Sequence, residues 1–250
     1  MAKNIKKRSA SHIYFGVNKL TGELKHISEV PSGQKCNCIC AACLQPFEAR
    51  KGTRRRHHFA HVSNYECMYA SEVAIYKAFA EALKQSGFLT LPPVMLRFPA
   101  WHDPELLQEA RRLKIDSVAF ECEPLSYPPL LRVTMQGTPL RILLDFDRYY
   151  DDDDRVELAE EAKVEDYSLL LISMPKIEQD TEFTPDRLQS ALQDNDRTEW
   201  VFSRLEEQWK QKYYAVAVSP PEHGTGNLCP ISFGKYKGKY SARWIDCAHC

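Results

Sequence analysis

Between residues 36 and 67 the chain crowds Cys36, Cys38, Cys40, Cys43, His57, His58, His61 and Cys67 into a stretch too short to hold a hydrophobic core of its own. So short a segment gains little from apolar burial and needs a staple, and its residues offer one made of soft ligands. Cys40-x2-Cys43 presents two thiolates to one ion; His58 and His61 come after fourteen residues, and Cys67 after five more, so a distant pair can close a tetrahedron. Spacings of two and three residues suit an ion better than a disulfide framework. Eight candidates compete for four places. Cys40, Cys43 and His61 form the expected set, with Cys67 or His58 fourth, and Cys36 or Cys38 able to replace any of them. A structural zinc is the favoured reading, because a catalytic one needs an open position and a general base, and neither is evident.

The chain has 250 residues, 44% hydrophobic and 27% charged, which is ordinary for a globular protein with one sizeable core. Its first residues, MAKNIKKRSASHIYFG, lack the apolar stretch of a secretory signal, and no segment approaches the roughly 20 apolar residues of a spanning helix. A cytoplasmic, non-membrane protein is expected. The net charge of -1 hides an asymmetry: residues 1–66 hold 12 Lys and Arg against 4 Asp and Glu, whereas residues 145–196 hold 5 against 17. One end is suited to anionic partners, and the acidic stretch is suited to docking a protein.

A second cysteine group, Cys229, Cys247 and Cys250, closes the chain, with His223 or His249 to complete a second zinc site. The implied organisation is an N-terminal zinc module over 1–69, an α/β core over 70–220, and a small zinc module over 221–250. Within the core, Val73, Ile75, Tyr76, Phe79, Ala80 and Leu83 recur at helical spacing and stop at Gly87. PELLQEARRL reads as a short helix. IDSVAFECEP, LLRVTMQG and TPLRILLDFDRYY read as three strands, with QGT as a hairpin turn. DDDDRVELAEEAKVED reads as a helix with an acidic first turn, and YSLLLISMP as a buried strand. PDRLQSALQ and EWVFSRLEEQWKQKYY are expected to be helices. This order implies a mixed sheet covered by helices.

KGTRRRHHF fits a solvated basic loop, but a rigid zinc hairpin presenting Lys51, Arg54, Arg55 and Arg56 is also a common way to grip phosphates. Near the end of the chain, Lys235, Lys237 and Lys239 alternate with Tyr236 and Tyr240, a pairing of cation and ring that suits single-stranded nucleic acid.

The run CNCICAAC, GTRRRHHFAH, EC and SEVAIYKAFAEAL resembles the start of the CoiA-like competence and DNA-processing family, and the closing CP, GKYKGKYSARWIDCAHC is similar to a small zinc module of some members. The resemblance implies a nuclease core like that of PD-(D/E)xK restriction endonucleases, in which a helix Glu, an Asp opening the second core strand and an acid on the third hold Mg2+. Glu72 matches the helix acid. Leu130 stands where the second acid is expected, and leucine cannot hold magnesium. Asp145 and Asp147 are the third-strand acids, side by side by alternation, and Asp116 is a candidate for a migrated carboxylate.

Two function classes result. The first is a zinc-containing DNA-binding protein, acting in DNA processing, uptake or defence. Its restriction-endonuclease-like core is expected to be degenerate and, if active, would be a Mg2+-dependent nuclease. The second is a non-enzymatic scaffold that docks a protein through the acidic face of residues 145–196.

Overall fold

The computed structural model describes residues 12–63, 67–97, 104–122, 128–146, 150–174, 184, 188, 197–216, 235–236 and 239–240. The first lobe is built from three short strands, β1 (Phe15–Asn18), β2 (Leu24–His26) and β3 (Cys38–Ile39), in the order β2-β1-β3, beside a hairpin of β4 (Phe47–Arg50) and β5 (His58–His61). Phe47 and Phe59 face each other across that hairpin with ring centroids 5.5 Å apart, and Phe15, Cys36 and Cys38 complete its small core. Side chains close in so tightly at Gly16 that a Cβ there would lie 3.1 Å from Cys38 Cβ and 3.3 Å from both Phe47 and Phe59.

α1 (Ala70–Ser86) has the expected span and ends at Gly87, whose φ of 65° suits glycine. Most of it is buried, including Glu72. A helix covered all round lies inside a core rather than on one. The first lobe covers one side, where Ser71 Oγ donates to His12 O. The main sheet covers another, where Tyr76 meets the backbone of Leu144. One buried cluster therefore runs from Tyr14 to Leu188, and the boundary expected between residues 69 and 70 is not a break in packing.

Four further strands make two small ribbons: β6 (Phe88–Leu91) pairs with β9 (Arg111–Lys114), and β7 (Val94–Leu96) with β8 (Glu105–Gln108), all antiparallel. This corrects the helix expected for PELLQEARRL. Its leucines have helical spacing, but both halves of the segment find strand partners, and pairing overrides local propensity.

The main sheet has five strands in the order β10 (Ser117–Glu121), β11 (Leu130–Met135), β12 (Thr138–Phe146), β13 (Ser168–Met174), β14 (Thr198–Phe202). The first three form an antiparallel meander, and the turn between β11 and β12 is the expected one, with Gln136 and Gly137 both at positive φ. α2 (Asp152–Val164) then carries the chain over to β13, which runs parallel to β12. Asp151 caps α2 by accepting from Asp154 N at 2.9 Å, while Asp154 returns the bond. β14 is antiparallel to β13 and leads into α3 (Arg204–Val216). EWVFSRLEEQWKQKYY is thus a strand followed by a helix, because Trp200 and Phe202 extend the sheet against Leu170 and Leu169. PDRLQSALQ falls almost wholly outside the described residues.

β12 is covered on both faces. Leu144 and Phe146 join the α1 side, whereas Leu143 joins Leu158 and Ala162 of α2. At the far end, two-residue strands β15 (Lys235–Tyr236) and β16 (Lys239–Tyr240) form a minimal hairpin. Among the described residues no helix is long and apolar enough to cross a membrane.

Candidate metal centre

Cys40, Cys43, His61 and Cys67 converge so that one ligand atom from each lies within 4.8 Å of all the others. The Cys40–Cys43 segment is a tight turn: Leu44 N donates to Cys40 O at 3.0 Å, Cys40 N donates to Gln45 O at 2.9 Å, and Leu44 adopts a φ of 60°. His61 reaches the same point from the base of the β4/β5 hairpin, where Phe47 pairs with His61 and Val62 N donates to Pro46 O at 3.1 Å. Cys43 Sγ and His61 Nε2 are 3.2 Å apart. Cys67 enters from the start of α1, so the cluster ties the knuckle, the hairpin and the helix together.

Backbone N–H groups point at the cluster's sulfurs, while burial and the contact between thiols leave only Cys67 below its ordinary value. Ala42 N donates to Cys40 Sγ at 3.4 Å, and the N–H of Cys43 also stabilises that sulfur; Gln45 N–H does so for Cys43 and Tyr69 N–H for Cys67. Cys40 donates to Cys67, which holds the Cys67 thiol down to about 6 and, together with burial, raises Cys40. Burial raises Cys43 and lowers His61, which keeps the imidazole neutral with a lone pair to give.

This donor set fits zinc. Tetrahedral zinc, with Zn–S of ~2.3 Å and Zn–N of ~2.0 Å, places its ligand atoms about 3.5–3.8 Å apart, so the wider pairs, at up to 4.8 Å, draw in and the Cys43–His61 pair, at 3.2 Å, opens slightly. Three thiolates and one imidazole fill the sphere in the manner of a structural site, and the backbone donors supply the outer support such sites require.

The fourth member of the cluster is Cys67, and His58 is not part of it. Alternation along β5 explains why: His61 shares a face with the buried Phe59, while His58 points the other way. There its Nδ1 bonds Arg56 O at 2.9 Å and its ring meets His12 at 4.8 Å. Cys36 and Cys38 are buried in the lobe's small core and do not substitute for a ligand. Cys36 Sγ donates to Phe47 O at 3.4 Å and Cys38 Sγ to Cys36 O at 3.2 Å, with burial pushing Cys38 up to about 12.

The arginines occupy the opposite end of the same hairpin. Arg54, Arg55 and Arg56 lie exposed in the loop beyond Arg50 and His58, about 10 Å or more from the level of His61 at ordinary strand rise. Lys51 does not join them. Its ammonium donates to Ser28 O at 3.2 Å and to Val30 O, bracing the loop against the lobe.

Of the carboxylates expected to hold magnesium, the described Glu72, Asp116 and Asp145 form no ligand group of three. Glu72 is 3% exposed in the first turn of α1 and Asp145 is 3% exposed on β12, but alternation puts Asp145 on the α2 face, opposite the Leu144 and Phe146 side that α1 covers. Asp116 sits at the other end of the sheet, where its Oδ2 accepts from Gly137 N at 3.0 Å and fixes the hairpin turn. Among the described residues the only group of three or more metal-ligating side chains is the Cys/His cluster. Asp147, Lys237, Cys229, Cys247 and Cys250 lie outside the described residues, and only the backbone of Lys235 and Lys239 is described.

Sequence reading missed the residues next to the ligands. Leu44, Val62 and Met68 come directly after Cys43, His61 and Cys67, and are 57%, 43% and 56% exposed. The dipeptides Cys-Leu, His-Val and Cys-Met were the available signal. No family model, curated protein or solved structure matches this chain, so the site is interpreted from its own geometry.

Proposed function

We propose that the chain is a zinc-stapled nucleic-acid-binding protein of DNA processing, uptake or defence, built on a restriction-endonuclease-like core whose catalytic constellation has degenerated. The observation that carries this reading is the β4/β5 hairpin. Three thiolates and an imidazole close its base, and its tip holds Arg54, Arg55 and Arg56 in the open. A metal-fixed scaffold reduces the conformational freedom that the arginines lose on gripping a phosphate backbone.

The nuclease-like part of the reading is supported by the order of α1, an antiparallel meander, α2 and a parallel strand, which sets the start of β11 beside the second half of β12 under a helix bearing Glu72. Degeneracy is supported by Leu130 opening β11 and by the separation of Glu72, Asp116 and Asp145. Losing one carboxylate from a metal cluster removes charge stabilisation worth orders of magnitude in rate. Zinc is the structural ion; magnesium has a place only if residues such as Asp147 complete a site.

The alternative, a scaffold docking proteins on the acidic stretch, has less support. Glu161 already pairs with Arg141 at 2.8 Å, and Asp166 with Arg204 at 2.8 Å.

The test is a mobility shift of labelled DNA across a salt series. Wild type is expected to bind with log affinity falling linearly with log salt, and Arg54→Ala with Arg55→Ala is expected to reduce that slope by about one to two units. Absence of a salt-dependent shift, or an unchanged slope in the variant, contradicts the proposal. Cleavage in Mg2+ that disappears in Glu72→Gln contradicts the degenerate core alone.

A further inference from the structure

We infer that the metal end of the hairpin contacts bases, and that the nucleic acid this protein takes is therefore single-stranded; the inference rests on the nucleic-acid reading above and sharpens it.

Leu44, Val62 and Met68 carry the argument. Each lies one residue beyond a ligand of the cluster, so the chain keeps all three close to the same ion, and all three are exposed. The lobe has apolar residues enough without them, since Phe15, Phe47 and Phe59 are buried beneath. Leu44 is the most telling. It adopts a φ of 60°, a left-handed conformation that favours glycine and strains a branched side chain, while the residue is 57% exposed. Folding gains nothing evident from a leucine there. An apolar contact that forms only with a partner explains its presence.

Charge chooses the partner. The same hairpin carries Arg54 and Arg55 at its other end, exposed and without an ion pair among the described residues. A rigid element with cations at one end and apolar side chains at the other matches a polymer that alternates phosphates with flat apolar faces. In a duplex those faces are stacked away, and only the phosphates are accessible. In a single strand they are splayed out and open to contact with apolar side chains.

The experiment measures fluorescence anisotropy of three labelled probes of equal length with the full zinc-loaded chain: a single-stranded oligothymidine, the same strand annealed to its complement, and an abasic strand that keeps the phosphates and lacks the bases. Wild type is expected to prefer the base-bearing single strand. Leu44→Gly relieves the strained backbone and so keeps the fold, which zinc content and thermal unfolding verify. Together with Met68→Ser it is expected to weaken the base-bearing strand roughly tenfold and to leave the abasic and duplex probes unchanged. Arg54→Ala with Arg55→Ala is expected to weaken all three. Equal wild-type affinity for the three probes overturns the inference and leaves the nucleic-acid reading standing, as does a preference that survives Leu44→Gly and Met68→Ser. Self-association that Leu44→Gly abolishes, with no preference for bases, overturns it in favour of a second copy of the chain. Binding to none of the probes overturns both.

Discussion

Cys43 Sγ and His61 Nε2 lie 3.2 Å apart across eighteen residues of sequence, at the junction of a metal knuckle and the base of a hairpin. Cys67 joins them from the threshold of α1, so an ion held here fastens knuckle, hairpin and helix to one point. Chelation is expected to loosen the β4/β5 hairpin and the first turn of α1 while sparing β12 and β13. Hydrogen exchange after chelation checks this: protection should fall by several kcal/mol in residues 47–61, on the scale of the roughly 10 kcal/mol that structural zinc supplies in small modules. Uniform loss across the chain would contradict a local staple.

β12 runs on past Ile142, its last paired residue on β11, and the Tyr76 hydroxyl closes the open edge by accepting from Leu144 N at 2.8 Å and donating to Leu144 O at 3.3 Å. Tyr76→Phe leaves two buried backbone groups without that partner. A loss of about 1–3 kcal/mol is expected, measurable by urea unfolding at unchanged slope. Wild-type stability in Tyr76→Phe would mean that the hydroxyl is dispensable.

At Gly16 an added methyl meets Cys38 Cβ at 3.1 Å and two phenylalanine rings at 3.3 Å. Gly16→Ala is expected to cost about 1–3 kcal/mol through overpacking and to raise the rate at which zinc is lost to a chelator. Denaturant midpoints and a colorimetric zinc-release assay test the two effects.

Burial and the neighbouring Glu161 push the Tyr167 phenol up to about 12 despite the opposing Arg141 cation. The unfolded chain releases this proton near pH 10, before the folded one does. The stabilisation is therefore complete below pH 10 and is lost as the pH rises from 10 towards 12, by about 1 kcal/mol after solvent screening. Tyr167→Phe should flatten that part of the pH profile; an identical alkaline slope in both proteins would contradict the assignment.

α1, the meander, α2 and β13 were legible because each segment's periodicity or turn chemistry agreed with its final packing. PELLQEARRL misled because Leu106, Leu107 and Leu113 are spaced as a helix would space them, and only the partners β6 and β7 decide otherwise. Three of the four ligands were legible from spacing alone. His58 against Cys67 was not, because it depends on residues 58–61 forming a strand, which sends His58 and His61 to opposite faces. Lys51 looked like one more phosphate-binding cation until its ammonium was found between the carbonyls of Ser28 and Val30. The positions of the candidate acids were not legible for a related reason: residue type is visible in a sequence, but the sheet face that Asp116 or Asp145 occupies is not.

The most direct measurement is zinc stoichiometry by mass spectrometry of purified wild type, Cys43→Ser, Cys67→Ser and Cys36→Ser. The assigned cluster requires that Cys43→Ser and Cys67→Ser each lose one equivalent relative to wild type and that Cys36→Ser lose none. Wild type without stoichiometric zinc, or a Cys67→Ser protein that keeps its full complement, would contradict it.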